Sequence, residues 1–193
     1  MIIDKERYGY TQWSPIIAGA VLACAISTVL MQFGTAVGFT QIINELSVDQ
    51  NVTPGKVLGM GIWVLWVQVF ASLGGGYLAG RMVTPAVNAT EHERDMRDGM
   101  HGLLVWALGT LMVVVAAFLA GSVAALTDNP TEDVARAADI VAMEEKTTVI
   151  FAFCAGATSL ASAVISWWAA TAGGDHRDTG ADFSNHFGFR ARK

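Results

Sequence analysis

Charge is scarce in this sequence. Asp, Glu, Lys and Arg make up 15% of its 193 residues, where a soluble globular domain carries about 25%. Four long stretches hold almost none of the charge, which is the pattern of helices that cross a bilayer. Basic residues are the rarer sign and the net charge is -5. No basic stripe exists to neutralise phosphates along a strand, so nucleic acid is excluded as a partner. Cysteine is almost absent. Cys24 and Cys154 both fall within apolar runs, where a thiol packs like any small hydrophobe, and a bridge between them requires the two runs to touch at one depth. The four histidines, His92, His101, His176 and His186, stand outside or at the ends of the apolar runs. An intrinsic haem with axial histidines inside a helix bundle is therefore excluded. No Asp, Glu, Lys, Arg or His lies at the centre of any apolar run, so a proton relay, a voltage sensor and a path for a charged substrate lack their usual parts.

What is present is apolar: 53% of the residues are hydrophobic and the mean hydropathy is +0.44. The runs predict an all-α integral membrane protein, a four-helix transmembrane bundle forming one domain over 1–193. The expected helices span 14–43, 55–80, 100–126 and 146–171. Lys5 and Arg7 could open a signal peptide, but the apolar run from Pro15 to Ile43 far exceeds a cleavable segment of roughly 7–15 residues, and reads as a span that stays. Tyr8, Tyr10 and Trp13 before the first helix, and Trp167 and Trp168 near the end of the fourth, suit the membrane interface. Gly173-Gly174 are read as the break that ends the fourth helix.

Nine of the twelve Lys and Arg residues fall in the N-terminal segment, the loop between helices 2 and 3, and the tail over 172–193. The excess of positive charge on the cytoplasmic side of membrane proteins then predicts both termini in the cytoplasm. The loop over 127–145 is external on this reading. There Val134, Ala137, Ala138 and Val141 recur at helical spacing, which predicts a short amphipathic helix.

In lipid, apolar burial does not drive helices together, and small residues that let backbones approach take over. Four-residue spacing places Gly34 with Gly38, Ser72 with Gly76 and Gly80, and Ala117 with Gly121 on single helix faces. These seven are the expected packing or docking positions. Gln32 and Gln68 are the strongest polar residues inside the runs; they either hydrogen-bond between helices or line a narrow polar path. Two clusters hold possible metal donors: Glu91, His92, Glu93, Asp95, Asp98 and His101, and Asp175, His176, Asp178, Asp182 and His186. Neither has a recognised ligand spacing, so both read as solvated charge. No metal, cofactor or catalytic residue is assigned.

One local signature stands out: Gly75-Gly76-Tyr77-Leu78-Ala79-Gly80-Arg81, a short charged loop, then Arg97-Asp98-Gly99-Met100-His101-Gly102 opening an apolar helix. Arg81 could pair with Asp98 across this hairpin, and His101 opens the next helix. The stretch from Leu73 to Leu111 resembles a group of small bacterial four-helix membrane proteins of the YrzE-like type, whose hairpin reads similarly. The resemblance implies a bacterial inner-membrane protein and brings no activity with it.

These readings lead to a non-enzymatic structural or accessory subunit, held among membrane lipids, that docks onto a larger membrane complex or onto copies of itself. The alternative is a small oligomeric channel or transporter using Gln32, Gln68 and the Ser/Thr row of the fourth helix. A membrane enzyme acting through His92, Asp98 and His101 is the weakest of the three.

Overall fold

The computed structural model describes residues 11–39, 41–42, 54–85, 89–127 and 145–180. Over the described residues the architecture is built on four long helices: α1 (Trp13–Ala36), α2 (Pro54–Met82), α3 (Glu91–Thr127) and α4 (Glu145–Asp178). No strand occurs among the described residues, and all four helices are long and apolar enough to cross a membrane. The amphipathic segment expected within 127–145 lies outside the described residues, as does the tail beyond 180.

The helix bounds differ from the expected ones at three places, each for a local reason. α1 stops at Ala36 rather than running to Ile43. Gly38 takes φ +97°, and Val37 and Gly38 donate back to the carbonyls of Phe33 and Thr35 at 3.0 Å, which closes the helix with a left-handed residue. α3 begins at Glu91, not near Met100. Its start is a capping box: the Thr90 amide donates to Glu93 Oε2 at 2.9 Å, and the Glu93 amide donates to Thr90 Oγ1 at 3.3 Å. α4 runs on through Gly173-Gly174 to Asp178. Those glycines do not break it, because they lie where neighbouring chain leaves no room for a Cβ: Gly173 against the Tyr77 carbonyl and Gly174 against the Asp98 carboxylate.

The bundle is packed at one end and open at the other. At the packed end α2 and α4 run parallel in close contact, with Gly76 on the Ser166 carbonyl and Gly80 on the Ala170 carbonyl. Gly102 of α3 meets the same Ser166, whose buried hydroxyl donates to the Gly102 carbonyl at 2.7 Å. On the other flank Gly75 rests on the Gly19 carbonyl of α1. Ile16, Ala20, Ala79 and Val105 form the buried apolar core beside it. The α1–α2 pair stays together farther along, where Gly34 faces the Trp63 indole.

Beyond that level α3 and α4 part from the rest. Val113, Val114 and Val115 are 64%, 58% and 54% exposed. Successive helical residues point about 100° apart, so this stretch of α3 is exposed in every direction among the described residues. A Cβ placed on Gly59, Gly61, Gly109, Gly121 or Gly156 would meet nothing within 4 Å.

Candidate functional site

The polar chemistry gathers at the packed end, where α1 and α3 begin and α2 and α4 finish. Its centre is Arg177, on the last turn of α4. Its Nη2 donates to Asp98 Oδ2 at 3.0 Å, with Asp98 Oδ1 3.3 Å from Nη1. Nη1 also donates to the carbonyls of Gly80 and Val83, at 2.9 and 3.0 Å. Nε donates to Asp178 Oδ1 at 2.7 Å. The side chains of Arg177 and Asp98 are only 11% and 5% exposed. One guanidinium therefore neutralises a buried carboxylate of α3 and caps the carbonyls at the end of α2, where the helix dipole favours a cation. Arg94 extends the network, reaching Asp178 at 3.4 Å.

The sequence suggested Arg81 as the partner of Asp98. The guanidinium that reaches the carboxylate is instead that of Arg177, from a segment read as polar tail. Arg81 sits half-buried on the last turn of α2. No local pattern could have signalled Arg177, because the pairing spans 79 residues and depends on α4 continuing past its glycines.

Beside this network His101 is 1% exposed. The backbone amide of Gln12 donates to its Nε2 at 3.0 Å, so that nitrogen carries no proton. The proton is on Nδ1, which donates to the Arg97 carbonyl at 2.7 Å. Both ring nitrogens are thus committed, and the imidazole ties the start of α1 to α3 rather than facing a substrate. His101→Ala should lower unfolding stability in detergent micelles by about 2–4 kcal/mol, through a cavity and two lost hydrogen bonds. His101→Gln, which can still accept from the Gln12 amide, should recover part of that.

A shallow groove of about 390 Å³ runs along the α2–α4 seam between Leu73, Tyr77, Trp168, Ala172 and His176. Its walls are apolar, and the Tyr77 hydroxyl pairs with His176 Nδ1 at 3.1 Å.

The other positions singled out in the sequence separate into two sets. Ser72, Gly76 and Gly80 are buried in the packed end, and Gly34 is buried against Trp63. Gly38 lies past the end of α1 as a turn residue, so it does not share a packing row with Gly34. Gly121 faces open space, and the Ala117 side chain lies outside the described residues. Gln32 is exposed on the last turns of α1, while Gln68 is half-buried midway along α2. No hydrogen bond joins their amides among the described residues. His92 is exposed, apart from buried Asp98 and His101. Cys24 and Cys154 are free thiols. Among the described residues no group of three or more His, Cys, Asp or Glu could hold a metal ion. Asp182 and His186 lie outside them. Among the described residues these polar groups mostly join one helix end to another, and Gln12 Nε2, Arg94 Nε and Arg97 Nε are enclosed there without an acceptor. No protein-family model, curated protein or solved structure matches this chain.

Proposed function

We propose that this chain is a structural or accessory membrane subunit without enzymatic activity, which crosses a bacterial inner membrane four times and completes its packing against another transmembrane protein or a copy of itself. The observation that carries this reading is the contrast between glycines. At the packed end each meets backbone or side chain, whereas Gly59, Gly61, Gly109, Gly121 and Gly156 meet nothing. In lipid, small residues matter where a helix approaches closely, so these positions fit contact with further helices. Both termini lie in the cytoplasm on this reading, because nine of the twelve Lys and Arg residues flank that side. The network around Arg177 then sits at the cytoplasmic surface, and the hairpin resemblance to the YrzE-like proteins is what implies a bacterial inner membrane.

Two measurements test it. The chain should remain in the membrane pellet after alkaline carbonate extraction; release into the supernatant would sink the membrane placement. Gly109→Leu with Gly121→Leu should shrink the particle seen on native gels of mildly solubilised membranes, and a particle of unchanged size would refute the docking role. Gly76 and Gly80 are unsuitable for this purpose, since their substitution would first break the chain's own bundle.

A small channel or transporter is the second reading, favoured by Gln68: an amide midway along an apolar helix with no hydrogen-bond partner among the described residues. Ion flux into proteoliposomes no greater than into empty vesicles would remove it.

A further inference from the structure

At the packed end the start of α1, the α2–α3 turn and α3 are joined by a closed ring of hydrogen bonds. Thr84 donates its amide to Gln12 Oε1 at 3.0 Å and its hydroxyl to the same oxygen at 3.3 Å. Arg97 Nη1 donates to the Thr84 carbonyl at 3.3 Å. His101 closes the ring by joining the Arg97 carbonyl to the Gln12 amide. Two donors within the ring end on nothing: Gln12 Nε2 and Arg97 Nε are enclosed without an acceptor. An enclosed N–H with no acceptor costs free energy that a bound acceptor restores.

Arg94 Nε is likewise enclosed without an acceptor, but Arg97 differs from its neighbours in the pairing of its charge. Arg177 meets Asp98 and Asp178, and Arg94 meets Asp178. Among the described residues no carboxylate lies within ion-pair distance of Arg97, and its one hydrogen bond goes to a neutral carbonyl. The cation is half-buried, and no carboxylate among the described residues offsets its charge. Beside the ring stand exposed apolar side chains: Trp13 next to Gln12, Met96 next to Arg97, and Met100 one turn along α3. An uncompensated arginine among exposed aromatic and thioether groups, just where apolar helices begin, matches the headgroup layer of a bilayer.

We propose that Arg97 and Gln12 form a binding subsite for a phosphate group. Phosphate presents several charged acceptor oxygens to a guanidinium fork, and Gln12 Nε2 supplies a neutral donor beside it. The Thr84 carbonyl holds the Arg97 side chain beforehand, and the Thr84 amide and hydroxyl hold that of Gln12. The source that fits best is the phosphodiester of an anionic membrane lipid, a choice that rests on the membrane placement proposed above. Free phosphate shares the chemistry and does not rest on it.

The test uses the full chain in maltoside micelles and isothermal titration calorimetry with three probes: short-chain phosphatidylglycerol, diacylglycerol of the same chain length, and inorganic phosphate. Phosphatidylglycerol should bind and diacylglycerol should not. Arg97→Gln should weaken phosphatidylglycerol binding about tenfold, the loss expected for one charge-assisted contact. Gln12→Ala should weaken it less. Inorganic phosphate binding with the same dependence on Arg97, and as tightly as the lipid, would assign the subsite to free phosphate. Equal affinity in wild type and Arg97→Gln of unchanged helix content would overturn the proposal, as would diacylglycerol binding as well as the phospholipid. Should Arg97→Gln fail to fold, Arg97→Lys keeps the charge and loses the fork. It should bind several-fold more weakly, and wild-type affinity there would overturn the proposal as well.

Discussion

Arg177→Ala should lower the unfolding stability of the chain in detergent micelles by about 3–5 kcal/mol, the usual cost of removing one partner of a buried ion pair. The magnitude follows from what the guanidinium holds. Without it the Asp98 carboxylate, 5% exposed, is left buried with no cation against it, and must hold an unpaired charge or take up a proton. The carbonyls of Gly80 and Val83, 2.9 and 3.0 Å from Nη1, also lose their donor. Coulomb attraction alone does not explain the size of this effect, since two charges leave water to form the pair. The loss is large because the groups left behind remain enclosed. A paired change, Asp98→Asn with Arg177→Met, should therefore recover much of the stability lost in Arg177→Ala. If Arg177→Ala unfolds at the wild-type midpoint, the ion pair does not hold the helix ends together.

The second large effect concerns glycine, and its sign depends on position. Gly80→Leu should destabilise the bundle by at least about 3 kcal/mol and separate α2 from α4, because a Cβ there runs into the Ala170 carbonyl and backbone. Backbone cannot rotate away as a side-chain tip can, so relief requires moving a whole helix. Gly76→Leu should behave alike against Ser166. Gly59→Ala and Gly121→Ala meet nothing within 4 Å and remove helix-destabilising flexibility. In the isolated chain they should be neutral or stabilising by up to about 1 kcal/mol. Thermal unfolding of the four variants side by side checks the contrast. Equal effects of Gly80→Leu and Gly59→Ala would contradict the close packing of α2 on α4.

Much of the fold was legible because its cause is local. Long apolar runs without charge specify helices of membrane-crossing length whatever their neighbours do. The missed bounds show where local reading stops and why. Thr90-Glu91-His92-Glu93 carries the capping-box spacing, so the early start of α3 was readable in principle. The continuation of α4 was not. A Gly-Gly pair favours a break in an isolated helix, and only the closeness of Tyr77 and Asp98 gives those glycines a packing role. Small residues were visible as rows, but a row does not say whether its face is occupied. Gly76 and Gly121 look alike in sequence, and one is buried while the other faces open space.

The sequence by itself determined that this chain is helical, that it has four runs able to cross a membrane, and that no charge lies deep within them, since each is a sum over neighbouring residues. Tertiary structure alone decided that Asp98 meets Arg177, that both His101 nitrogens are spent on structure, and that Arg97 keeps a charge with no carboxylate among the described residues. Each of those depends on which helix ends converge, and the helix ends converge where glycines remote in sequence let backbones touch.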